Sequence, residues 1–186
     1  MGTQKVKGSV LKSRLAFVEK QFGAEGLDRV MDNLDSEDQK AIRGLIPVAW
    51  LDFDIGKRLD DTIVRVLGGG RSEVFERLGE ASAEANLKTV HAAFVAPGDP
   101  HGFLAKAPQI YGMYYQVGRR EYEQTGEREG VLTTHDAETY SKADCLTVIG
   151  WYKRALELCG AKNPRIVEDK CRARGDEVCR YRVSWQ

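Results

Sequence analysis

Glu168 to Tyr181 reads EDKCRARGDEVCRY, and how this stretch turns decides the end of the fold. Arg165 to Cys171 and Val178 to Trp185 have the composition of strands, and Gly175-Asp176 between them supplies a turn. In a hairpin folded about Gly175, residues equidistant from that glycine face each other, and Cys171 and Cys179 are such a pair. Opposed residues of an antiparallel pair have Cβ atoms about 4.5–5.5 Å apart, so both sulfurs can reach one metal ion without backbone movement.

A tetrahedral site wants four ligands, and Glu168 and Cys145 are the candidates for the other two. In a regular strand Glu168 and Cys171 point to opposite faces, so joint ligation demands a bulge or bend around Asp169-Lys170. Two other readings stay open. The cysteines are small buried hydrophobes, as free Cys often is, or a disulfide, which a reducing compartment disfavours.

At 186 residues, 42% hydrophobic and 30% charged, the chain is long enough for one well-packed domain and short for two. Lys plus Arg and Asp plus Glu number 28 each, so the electrostatic footprint of a general nucleic-acid binder is missing. The opening MGTQKVKGSV has no apolar signal core, and no window approaches the roughly 18 apolar residues of a membrane span. The expectation is a cytoplasmic protein.

Outward from the terminal hairpin, Lys142 to Leu158 reads as a helix capped by Ser141 and closed by Gly160, and before it Arg119 to Thr125 and Val131 to His135 read as a hairpin. Further upstream the apolar period is helical. Val6 to Phe22 predicts a helix stopped by Gly23, followed by a short one from Ala24 to Asn33, one capped by Ser36 and ending near Gly44, and one through Leu59, Ile63 and Val66. A long helix follows from Ser72 through Val90 to Phe94, then an aromatic-rich one from Phe103 to Tyr115. Gly79, Ala81, Ser82, Ala83 and Ala85 give the long helix a small-residue face that admits a second helix, within the chain or across a dimer. Helices, hairpin, helix, hairpin is an α+β order: helices packed on an antiparallel sheet of about four strands.

The segment Asp144 to Trp185 resembles the C-terminal half of the 4-vinyl reductase domain family. The pattern is met by Cys145, Gly150-Trp151, Glu168 with Cys171, Gly175-Asp176 and Cys179. The whole chain, with its opening VKGSVLKSRLAFVEKQFGAEGLDRVM, also looks like a family of uncharacterised myxobacterial proteins. The first resemblance implies a fold similar to the small TRAPP vesicle-transport subunits, a bacterial sensory role, and a structural zinc held by Cys145, Glu168, Cys171 and Cys179. Cys159 matches no ligand position.

The effector pocket implied lies between helices and sheet, where Tyr111, Tyr114, Tyr115 and Trp151, with His91 as an orienting group, are the candidate ligand-binding residues. Phe94, Phe103 and Trp50 are their expected neighbours. No G-x-S-x-G elbow or P-loop is present, and Gly68-Gly69-Gly70 has neither the spacing nor the Lys-Ser/Thr of a phosphate cradle. The expected function is therefore a non-enzymatic, homodimeric regulatory domain binding a small apolar or aromatic molecule and meeting a protein partner. The alternative is a dimeric assembly module of TRAPP-like fold with no small-molecule ligand.

Overall fold

The structure is a computed structural model and describes residues 4–89, 91–138 and 140–186. The chain begins with a three-residue strand, β1 (Lys5–Lys7), not with a helix, because Val6 is drawn into the core and bridges Tyr115. α1 (Gly8–Asp32) follows as two helical stretches that meet at Gly23, where the expected stop lies: at φ 73° the glycine takes a turn that a side chain resists, and helix resumes at once from Ala24.

α2 (Ser36–Arg43) is capped by Asp35, whose side chain accepts from Asp38 N at 2.8 Å, one residue earlier than the sequence suggests. β2 (Trp50–Asp52), too short to announce itself in sequence, pairs antiparallel with β1 and leads into α3 (Phe53–Val66).

α4 spans Val74–Leu87 and is shorter than its apolar stripe. The carbonyl of Asn86 accepts from both Thr89 N and His91 N, which closes the helix before a 3-10 turn at Ala92–Phe94. Val90 lies outside the described residues. The aromatic-rich helix is two pieces, α5 (Pro100–Leu104) and α6 (Ala107–Tyr114).

β3 (Arg119–Gly126) and β4 (Glu129–His135) form the expected hairpin with a tighter turn. α7 (Lys142–Leu158) is capped as read, Ser141 Oγ accepting from Asp144 N at 3.0 Å. β5 (Arg165–Lys170) and β6 (Cys179–Ser184) complete an antiparallel four-stranded sheet in the order β3-β4-β6-β5. The fold is α+β.

Two apolar cores result. One gathers α1, α2, α3 and the start of α4 around Val18, Leu59, Ile63 and Phe75; the other gathers α5, α6, α7 and the sheet around Phe103, Leu104, Leu132, Leu156 and Tyr181. α4 and α7 join them. A Cβ on Gly79 would collide with Thr147 O, and one on Gly150 with Glu76 O, so the small-residue face is spent on close approach of these two helices within the chain. It therefore gives no support to a dimer.

Candidate functional site

A cavity with about 70 Å³ of free volume lies where the two cores meet. Helical spacing builds its walls: Val10 and Arg14 from α1, Leu78, Ser82 and Asn86 from α4, Tyr111 and Tyr114 from α6, and Val148, Trp151 and Tyr152 from α7. β3 closes it with Arg120.

Its polar groups differ in how they are satisfied. Tyr111 Oη donates to Val117 O at 2.7 Å and Tyr115 Oη to Asp144 Oδ1 at 2.8 Å. Tyr114 Oη and Tyr152 Oη are buried and have no hydrogen-bond partner among the described residues. Burial pushes the Tyr114 hydroxyl up to about 12, so it remains a neutral donor.

Two arginines face the cavity in contrasting states. Arg14, 2% exposed, is held by Asp60 at 2.6 and 3.1 Å and lies 3.5 Å from Asp144. Burial pushes the Asp60 carboxyl up to about 6 against the opposing pull of Arg14. Arg120, 6% exposed, donates only to Thr134 Oγ1, at 2.9 Å, and has no ion-pair partner among the described residues. Its guanidinium sits over the rings of Tyr111, Tyr152 and Tyr181 at 5.0, 5.5 and 5.9 Å.

Of the residues expected to bind a ligand, Tyr111, Tyr114, Tyr115 and Trp151 border this cavity, and His91 does not. The His91 ring stands behind Tyr114, edge-on at 5.7 Å, and burial lowers its pKa. Phe103 stacks on Trp151 at 6.0 Å, whereas Trp50 lies on β2 under the Lys7 ammonium. Sequence reasoning missed Arg14, Arg120 and Tyr152. The signal for Arg120 is the doublet Arg119-Arg120 at a strand start, where a period of two sends one arginine outward and the other in.

The cysteines do converge. One ligating atom from each of Cys145, Glu168, Cys171 and Cys179 lies within 4.8 Å of the others. The bend that joint approach demands is present: the β5–β6 register shifts between Glu168 and Lys170, and Cys171 leaves the strand to cap a 3-10 turn. Cys145 Sγ is 3.6 Å from Cys171 Sγ and 4.0 Å from Cys179 Sγ. Hydrogen bonding to Cys145 pulls the Cys179 thiol down to about 7 and lowers Cys171, while Cys145 itself is pushed well up. Glu168 Oε2 accepts from Arg174 at 3.0 Å, and its buried Oε1 has no hydrogen-bond partner among the described residues. Cys159 is fully buried in the same core but caps the other end of α7, away from the cluster.

The family described as a protein of unknown function (DUF2378) matches residues 58–186. No curated protein matches. Among solved structures, an Fe(II) unliganded H-NOX protein from K. algicida superposes with a TM-score of 0.72 at 12% identity, over 97% of this chain and 96% of that one. A structure from a study of heme distortion in the H-NOX family gives 0.73 at 14%, over 97% and 95%. An oxygen-binding H-NOX domain related to soluble guanylate cyclases gives 0.70 at 12%, over 97% and 95%. At these identities the likeness shows the fold.

Two expectations are corrected by these matches. The 4-vinyl reductase resemblance and the TRAPP-like fold give way to the H-NOX fold, because the whole chain superposes on it whereas the resemblance rested on a short C-terminal pattern. Zinc gives way as well: the metal group of these structures is the iron of heme. The cysteine cluster is a thiol network that ties α7 to the terminal hairpin.

Heme does not fit the residues of this cavity either. Free volume of about 70 Å³ is far below the 300–1,000 Å³ of sites for drug-sized ligands, and a porphyrin is larger than most of those. His, Cys and Met, the usual axial ligands, are absent from the cavity wall. His101 is engaged on both ring nitrogens, by Tyr122 Oη at 2.5 Å and Glu127 O at 2.8 Å, and His135 Nε2 lies 3.1 Å from Glu121. The unpartnered phenols Tyr114 and Tyr152 are the remaining axial type on this wall.

Proposed function

We infer a function for this chain, which belongs to the DUF2378 family of proteins of unknown function, from its cavity: it is a sensory domain without catalytic activity of its own that binds a small molecule between its two cores. The observation that carries this reading is the pair of buried, unpartnered hydroxyls of Tyr114 and Tyr152 at one cavity. Buried donors are nearly always satisfied, and leaving one unmade costs about 1–3 kcal/mol. A bound molecule that accepts from them offsets that cost.

The fold supports the reading, since it is shared with an oxygen-binding H-NOX domain. So does position, because a molecule held by α1, α4, α6, α7 and β3 touches both halves of the structure.

The test is a fragment screen by amide-resolved NMR on the full chain. Small polar fragments at millimolar concentration are expected to shift resonances around Tyr114, Val148 and Tyr152, and Ser82→Leu, which fills the cavity from α4, is expected to abolish those shifts. A screen with no shift at the cavity, alongside a Ser82→Leu variant indistinguishable from wild type, overturns the reading.

A further inference from the structure

We propose that the molecule bound in this cavity is a small carboxylate, read by Arg120 together with the hydroxyls of Tyr114 and Tyr152. The proposal rests on the ligand-binding reading above and specifies its chemistry.

Oxygens of Ser82, Asn86 and Thr147 line the cavity, but among the described residues none of them meets Arg120 or the hydroxyls of Tyr114 and Tyr152. Arg120 is buried, and its hydrogen bond to Thr134 uses Nε, so among the described residues no carboxylate meets the two terminal nitrogens of the guanidinium. Tyr152 Oη lies beside the guanidinium, close enough to help hold its charge, although no hydrogen bond of good geometry joins the two. Tyr114 Oη and Tyr152 Oη add two more unpaired donors on the same cavity. Water can satisfy neutral donors; it does not neutralise a charge.

Charge separates this arginine from its neighbour. Arg14 is matched by Asp60 and by Asp144, which also accepts from Tyr115. Burial holds the Asp144 carboxyl up against the pull of Arg14 and the weaker pull of Arg120, with which it makes no ion pair. Three tyrosine rings offset part of the cost of burying the Arg120 cation, but ring faces do not accept from the edge of a guanidinium as a carboxylate does. A buried charge without a partner is among the costliest features a fold can carry. An anionic ligand supplies the missing partner in the planar, two-oxygen form that a guanidinium fork matches.

Size and lining set the rest of the molecule. The free volume of about 70 Å³ is roughly half that of a cavity known to take benzene, about 150 Å³. An aromatic ring is therefore too large without wall movement, and a short aliphatic chain against Leu78, Ile110 and Val148 is the matching body.

Propionate and propionamide test this on the full chain, since they share shape and differ in charge. Thermal unfolding and calorimetric titration are expected to show saturable stabilisation by propionate and little by propionamide. In Arg120→Met the advantage of the acid should vanish, with propionate weakened about tenfold or more. Equal binding of acid and amide overturns the carboxylate and leaves the ligand cavity standing. Binding of neither, with no resonance shift at the cavity, overturns both. An acid preference that survives Arg120→Met removes Arg120 from the site. Should that variant fail to fold, the wild-type comparison still decides the charge question, and Arg120→Lys, which keeps charge and loses the fork, should bind propionate between the two.

Discussion

At the scale of single residues, the molecule is organised by charges buried where the sequence gives little warning. Arg14 and Asp60 lie 46 positions apart and meet only because α1 and α3 pack together. The Asp60 carboxyl, raised by burial from 3.8 in the ordinary range to about 6, has a consequence for stability. Its folded state holds the proton more tightly than its unfolded state, so its contribution is fully present below about pH 4. That contribution is lost as pH rises through about 6. Asp60→Asn, which removes the titrating group, is expected to flatten the fall in unfolding free energy between about pH 4 and pH 6, as measured by urea unfolding at a series of pH values. An unchanged slope would show that Asp60 titrates normally in the fold. Tyr111, Tyr114, Tyr115 and Trp151 were visible as candidates because aromatic density is a one-dimensional signal. Arg120 and Tyr152 were not, because what singles them out is an absent partner, which only three-dimensional placement defines.

Elements were legible to the extent that their apolar period was long. α3 stands where periodicity puts it and α7 where periodicity and capping put it, while β1 and β2, three residues each, carry no period at all. The small-residue run on α4 correctly announced a close helix contact, but a face of glycine and alanine does not name its partner. That partner is α7, and the closest approach is made by Gly150 under the carbonyl of Glu76. Gly150→Ala should overpack this contact and destabilise by about 1–3 kcal/mol. Gly112→Ala on α6 is the control: a Cβ there meets nothing within 4 Å, so the substitution should be neutral or gain up to about 1 kcal/mol from helix propensity. Guanidinium unfolding of the two variants decides it, and equal effects would mean that the α4–α7 contact relaxes freely. In the terminal hairpin the turn was readable, and so was the need for a bend before Cys171. That the bend exists follows from Asp169, whose carboxylate is gripped by Arg180 at 2.8 and 2.9 Å and by Arg182 at 2.6 Å as the register shifts beside it.

For the whole molecule, the α+β order could be read from the change of period along the chain, but the family of folds could not. A resemblance carried by Cys145, Glu168, Cys171 and Cys179 reports how one helix meets one hairpin, and that local union can sit in more than one architecture. The N-terminal helices, whose amphipathic stripes are generic, decide which architecture it is. The same division shapes how a ligand would be felt. The cavity is bounded by α1 from the first core and by α6, α7 and β3 from the second, so a molecule inside it binds a state in which the two are apposed. Ligand that binds only that state stabilises it by about 2.7 kcal/mol at a hundredfold excess over Kd. Hydrogen exchange with and without propionate at that excess is expected to slow amides in the first turns of α1, around Val10 to Arg14, as well as in α7 around Val148 to Tyr152. Protection on one side alone would mean that the ligand is held by one core and that the other does not register it. Protection on both would make the apposition of α1 against α7 the two-state element through which binding is reported.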